Sequence, residues 1–195
     1  MKGLGRSLTL TCCDDDQMAV IIFLAAEVAL ILALWRCDKL LKPFKLLAVF
    51  VHEASHASAC ALTGGSVEAL EVNLNEGGVT EYRGGCQAIV APAGYIGGAV
   101  WGAVGTAIVG MGFDGNLLRV LFALLFVAAF VSFFSVYDIY DDCVRHYVAD
   151  PDQTSDAVVC ERICLILPAR GWGVTWLLFG LACWGFGIYV LLLTV

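Results

Sequence analysis

Five apolar runs, each close to the length of helix that crosses a hydrocarbon core, limit what this chain can fold into. A span takes about 20 residues, and the runs cover about residues 18–35, 44–63, 88–111, 117–140 and 172–194. They explain why apolar residues reach 60% and charged ones only 15% of the chain, where soluble domains hold about 45–50% and about 25%. A water-soluble domain of 195 residues cannot bury that excess and still cover itself with polar groups, whereas lipid can solvate it. The expectation is an integral, multi-pass, all-α membrane protein of about five transmembrane helices, with membrane lipid as its first partner. Residues 1–16 read as a polar amino-terminal tail and 17–195 as a single membrane domain. Net charge is −7 without a large basic cluster, which excludes a nucleic-acid partner.

The polar connections carry their own signals. Between the second and third runs, Val67-Glu68-Ala69-Leu70-Glu71-Val72-Asn73-Leu74 alternates roughly apolar with polar, Glu76-Gly77-Gly78 supplies a turn, and Val79-Thr80-Glu81-Tyr82 follows. This pattern predicts a β-hairpin. In the third run, Gly94, Gly97, Gly98, Gly102 and Gly105 predict close helix packing, because small residues let backbones approach.

The second run carries the chemistry: His52-Glu53-Ala54-Ser55-His56 lies inside apolar sequence on both sides. Histidines four apart share one face of a helix, one turn above each other, so both imidazoles can reach one cation. Glu53 projects about 100° around from His52, placed to take a proton from a water acidified beside that cation. Two histidine ligands with an adjacent glutamate base make the arrangement of a zinc hydrolase. Ionisable groups at membrane depth are costly and mark function by default. Zinc takes a third protein ligand and leaves a fourth position open. Asp138, at the end of the fourth run, is the expected third ligand, with Asp141 and Asp114 as alternatives.

The order of these elements resembles the site-2-protease class of intramembrane zinc metallopeptidases, and more closely its small peptidase-like relatives. The resemblance rests on His52-Glu53-Ala54-Ser55-His56-Ala57, Leu62-Thr63-Gly64-Gly65, Gly77-Gly78-Val79-Thr80 and Ala93-Gly94-Tyr95-Ile96-Gly97. Tyr137-Asp138-Ile139-Tyr140-Asp141-Asp142, Ser155-Asp156-Ala157 and Trp172-Gly173 extend it across roughly residues 44–178. It implies Zn2+ as cofactor, His52 and His56 as metal ligands, Glu53 as general base and a transmembrane protein as substrate. The Leu-Asp-Gly motif that supplies the third ligand in site-2 proteases is missing; the chain's Asp-Gly is Asp114-Gly115. Two other classes compete with a peptidase: a non-catalytic membrane scaffold or chaperone that keeps the fold, and a metal-ion carrier using the same side chains.

Overall fold

A computed structural model describes residues 13–35, 37–75, 77–110 and 155–194. Among them are five helices, α1 (Asp15–Leu34), α2 (Asp38–Leu62), α3 (Gln87–Gly110), α4 (Asp156–Ile163) and α5 (Ala169–Thr194), and two strands, β1 (Ser66–Val72) and β2 (Gly78–Arg83).

Among the described residues, three helices are long and apolar enough to cross a membrane: α1, α3 over Gln87–Ile108, and α5. They correspond to the first, third and fifth expected spans. The second expected span is helical within α2, but α2 is not among the three, because Lys39, Lys42, Lys45 and Glu53 interrupt its apolar character. The fourth expected span, with Asp138 and Asp141, and the Asp114 segment before it lie outside the described residues. The protein is therefore a mostly helical membrane protein with a small antiparallel sheet, and the described residues do not establish five spans.

Each element is set by local chemistry. α1 opens on a capping box, in which Asp14 accepts from the Gln17 backbone N–H and Gln17 accepts from that of Asp14. This satisfies donors that a helix start leaves unpaired. Gln17 Nε2 also donates to the Leu192 carbonyl at 3.0 Å, tying the start of α1 to the end of α5. α2 ends in a Schellman motif: Gly65 N–H bonds the Cys60 carbonyl at 2.9 Å and Gly64 N–H bonds that of Ala61 at 3.2 Å. Gly64 adopts φ 82°, a left-handed conformation that glycine enters without steric cost. A side chain at Gly65 would strike the backbone of Gly84 and Gly85, so the base of the hairpin crosses itself where it leaves α2.

The hairpin is the expected one, with a shifted turn. β1 and β2 pair antiparallel from Ser66↔Arg83 to Val72↔Gly78, with an irregularity between Val67 and Ala69. Gly78 belongs to β2 and not to the turn, which closes through Asn73 N–H bonded to the Gly77 carbonyl at 2.8 Å.

α3 lies at the centre. It runs antiparallel to α2, since His56 meets Val90 while Ser55 meets Gly97. It runs parallel to α5, since Tyr95 stacks on Trp176 and Gly187 packs on Ala103 and Thr106. α4 is clamped at the corner of α3 and α5 through Ala157, Val158 and Cys160 against Ala91, Tyr95, Ala169 and Trp176. Glu161 accepts from Ala169 N–H at 3.1 Å and secures the α4–α5 turn.

Candidate metal centre

His52 and His56 project from one face of α2, as their spacing predicts, and their Nε2 atoms lie 3.1 Å apart. A third group meets them: Asp156 Oδ2 is 3.1 Å from His52 Nε2 and 3.0 Å from His56 Nε2. The three atoms form a nearly equilateral triangle.

Hydrogen bonding alone does not account for this triangle. His56 Nδ1 is 2.7 Å from the Val90 carbonyl. A carbonyl oxygen only accepts, so that nitrogen carries the ring proton. In the neutral ring Nε2 is then a bare lone pair, and it faces a carboxylate oxygen and a second imidazole nitrogen. That lone pair and the Asp156 oxygen stand 3.0 Å apart, an approach that is favourable only where positive charge sits between them, either as an extra proton or as a cation. Donation from both rings would hold the Asp156 carboxyl well below the usual carboxylate range, against the burial that raises it.

Zinc fits the set. Bonds of about 2.0–2.1 Å in a tetrahedron separate ligand atoms by roughly 3.3 Å, close to the edges observed. Two imidazoles and one carboxylate are a catalytic donor set that leaves a fourth position open. The Val90 carbonyl bond is the kind of contact that fixes the tautomer and orientation of a ligating histidine.

The surroundings hold the ligands in place. The His52 ring stands edge-on to Tyr95, centroids 4.7 Å apart, and Tyr95 stacks on Trp176 at 4.9 Å. Ser55 turns back to the Val51 carbonyl, and any side chain at Gly97 would collide with its hydroxyl. Glu53 is buried beside the triangle without belonging to it. Its Oε2 accepts from the Thr80 hydroxyl at 2.6 Å. A cleft of about 280 Å³ opens over the site, lined by Glu53, His56, Asp156 and the β2 residues Gly78, Thr80 and Tyr82 among others.

The expected histidine pair thus comes together, with Glu53 next to it. Asp138, Asp141 and Asp114 lie outside the described residues. In the sequence Asp156 stands within a stretch of the family resemblance and is not among the expected ligands. Its signal was available: Ser155-Asp156 opens a short helix whose next residues, Ala157-Val158-Val159-Cys160, are apolar, so the acid starts a helix that must dock against something.

Gly94 gives this geometry a sharp test. A Cβ there would collide with Nε2 of both His52 and His56, the atoms that would face a bound metal. Gly94→Ala is therefore expected to lower zinc affinity by roughly tenfold or more, the scale on which disturbed ligand orientation is felt. Gly185, also in a helix, has nothing within 4 Å of such a Cβ. Gly185→Ala should leave affinity unchanged when both variants are titrated with zinc against a competing chelator.

No curated protein and no solved structure matches the chain. A family model does: the description Peptidase M50B-like fits residues 24–124 and 103–187. Those two stretches cover most of the sequence and include all three residues of the triangle. The chain belongs to the Peptidase M50B-like family.

Proposed function

We propose that this protein is a multi-pass, membrane-embedded zinc metallopeptidase that hydrolyses a peptide bond in a transmembrane or membrane-proximal segment of another protein. The observation that carries the reading is the triangle of His52, His56 and Asp156, with Glu53 lining the same cleft as His56 and Asp156. His52, His56 and Asp156 would hold the zinc. When bound, the ion would supply Lewis acidity, making a water easier to deprotonate and favouring negative charge on a carbonyl oxygen.

The chain's own residues do the rest. Glu53 accepts a proton from the attacking water and returns it to the leaving amine. Thr80 donates to its other carboxylate oxygen. The Val90 carbonyl keeps His56 in the tautomer whose Nε2 is a ligand. β2 forms one wall of the cleft through Gly78, Val79, Thr80 and Tyr82, so an extended substrate could pair with a strand there. A helical substrate has to unwind before its amide carbonyls become reachable, and such pairing would favour the unwound form.

The test uses purified full-length protein in detergent with fluorescein-labelled casein, a generic unfolded substrate. Zinc-loaded protein is expected to release fluorescent fragments, and removal of zinc by chelation to stop the release. Equal fragment release with and without zinc would overturn the zinc-dependent reading, and no release in either condition would favour a non-catalytic scaffold.

A further inference from the structure

Glu53 follows His52 on α2 and so lies off the face that carries the ligands. Its side chain has three rotatable bonds, and nothing on α2 itself explains why its carboxylate should stay beside the metal triangle. The explanation comes from β2. The Thr80 hydroxyl is 2.6 Å from Glu53 Oε2 and 3.1 Å from the Glu53 backbone carbonyl oxygen. The shorter distance is that of a charge-assisted O–H···O⁻ bond, about 2.5–2.7 Å. One hydroxyl placed against both the carboxylate and the backbone of the same residue selects a single rotamer of that residue.

Gly78 closes the other side. It stands two residues before Thr80, on the same face of the strand. A Cβ there would lie 2.5 Å from Glu53 Oε1 and 2.8 Å from Cδ. The strand backbone itself therefore packs on the carboxylate, and Glu53 is only 7% exposed. Threonine suits this role because its branched Cβ limits χ1, which keeps the hydroxyl aimed. The crossing of Gly65 with Gly84 and Gly85 fixes the base of the hairpin against α2, and with it the position of Thr80.

We propose that Thr80 is the positioning residue of the general base: the hairpin reaches into the site through this hydroxyl and holds the Glu53 carboxylate where it can take a proton. The proposal rests on the hydrolase reading above.

Its test compares wild type, Thr80→Val, Thr80→Ser and Glu53→Gln in the full-length protein. Valine keeps the shape and loses the donor, while serine keeps the donor. The first readout needs neither metal nor turnover: the infrared carboxylate stretch of ¹³C-glutamate-labelled, metal-free protein, with the Glu53 band assigned by its loss in Glu53→Gln. That band should shift in Thr80→Val and stay in place in Thr80→Ser. The second readout is casein cleavage by the zinc-loaded forms. Thr80→Val should lose about 10- to 100-fold in kcat, the scale of a misplaced reacting group, with KM within about twofold, and Thr80→Ser should restore it.

An unshifted band together with wild-type kcat in Thr80→Val would overturn the proposal while leaving the hydrolase reading intact. A shifted band with no cleavage by the wild type would overturn the hydrolase reading and, with it, the catalytic role of Thr80. If Thr80→Val does not purify as folded protein, Thr80→Ala removes the same donor without adding volume, and the same two readouts decide.

Discussion

Glu53→Gln is expected to abolish most hydrolysis while leaving the bound metal in place. Glutamine has the size of glutamate and its amide oxygen can still accept from Thr80, so the hairpin contact survives. What disappears is the ability to accept a proton. A positioned acid–base group contributes about 10²- to 10⁴-fold, and kcat on labelled casein should fall within that range. Zinc content should stay at the wild-type level, because Glu53 is not one of the three groups that converge. The pairing of the two results carries the weight. Loss of both activity and metal would make Glu53 a ligand, as a cation carrier would use it, and uptake of zinc into vesicles would then be the measurement to pursue. Activity within tenfold of wild type would remove Glu53 from the chemistry.

The sequence made some of this site visible because the relevant spacing is local. Histidines four apart must share a helix face, and the structure places their Nε2 atoms 3.1 Å apart. The hairpin was visible because its alternation and its glycines are also local. The glycine-rich third span predicted close packing, and Gly94 and Gly97 do lie directly against His52, His56 and Ser55. The tie between Thr80 and Glu53 was not visible, since it depends on the angle at which the hairpin folds back over α2. Asp156 was harder still. It lies 100 residues from His56, in a polar stretch that reads as a loop with one short helix, and only the docking of α4 against α3 and α5 brings it to the histidines. The acids that the sequence offers as ligands stand at the ends of apolar runs, whereas Asp156 opens a short helix and carries no such signal.

Removing Asp156 should have the largest effect on the metal itself. Loss of a mere hydrogen-bonding partner around a metal costs about 10- to 100-fold in affinity. Asp156→Ala removes a donor atom and the only anionic charge in the triangle, so its cost should exceed 100-fold when zinc is titrated against a competing chelator. Asp138→Ala is the necessary comparison. If Asp156 is the third ligand, Asp138→Ala should bind zinc within about tenfold of wild type. If the two variants exchange behaviours, the ligand set is His52, His56 and Asp138, and Asp156 is a partner of the histidines only.

The metal-free protein offers an independent check. The Asp156 carboxyl is held below its ordinary range by the two imidazoles. A depressed carboxyl contributes stability that is fully present above the unfolded-state value of about 3.9 and is lost as pH falls from there toward the folded value. Wild type should therefore weaken over that acid window more steeply than Asp156→Asn, as followed by the unfolding midpoint in denaturant. Equal slopes for the two proteins would mean that the carboxylate is not engaged with the histidines in solution, and the triangle would lose its third corner.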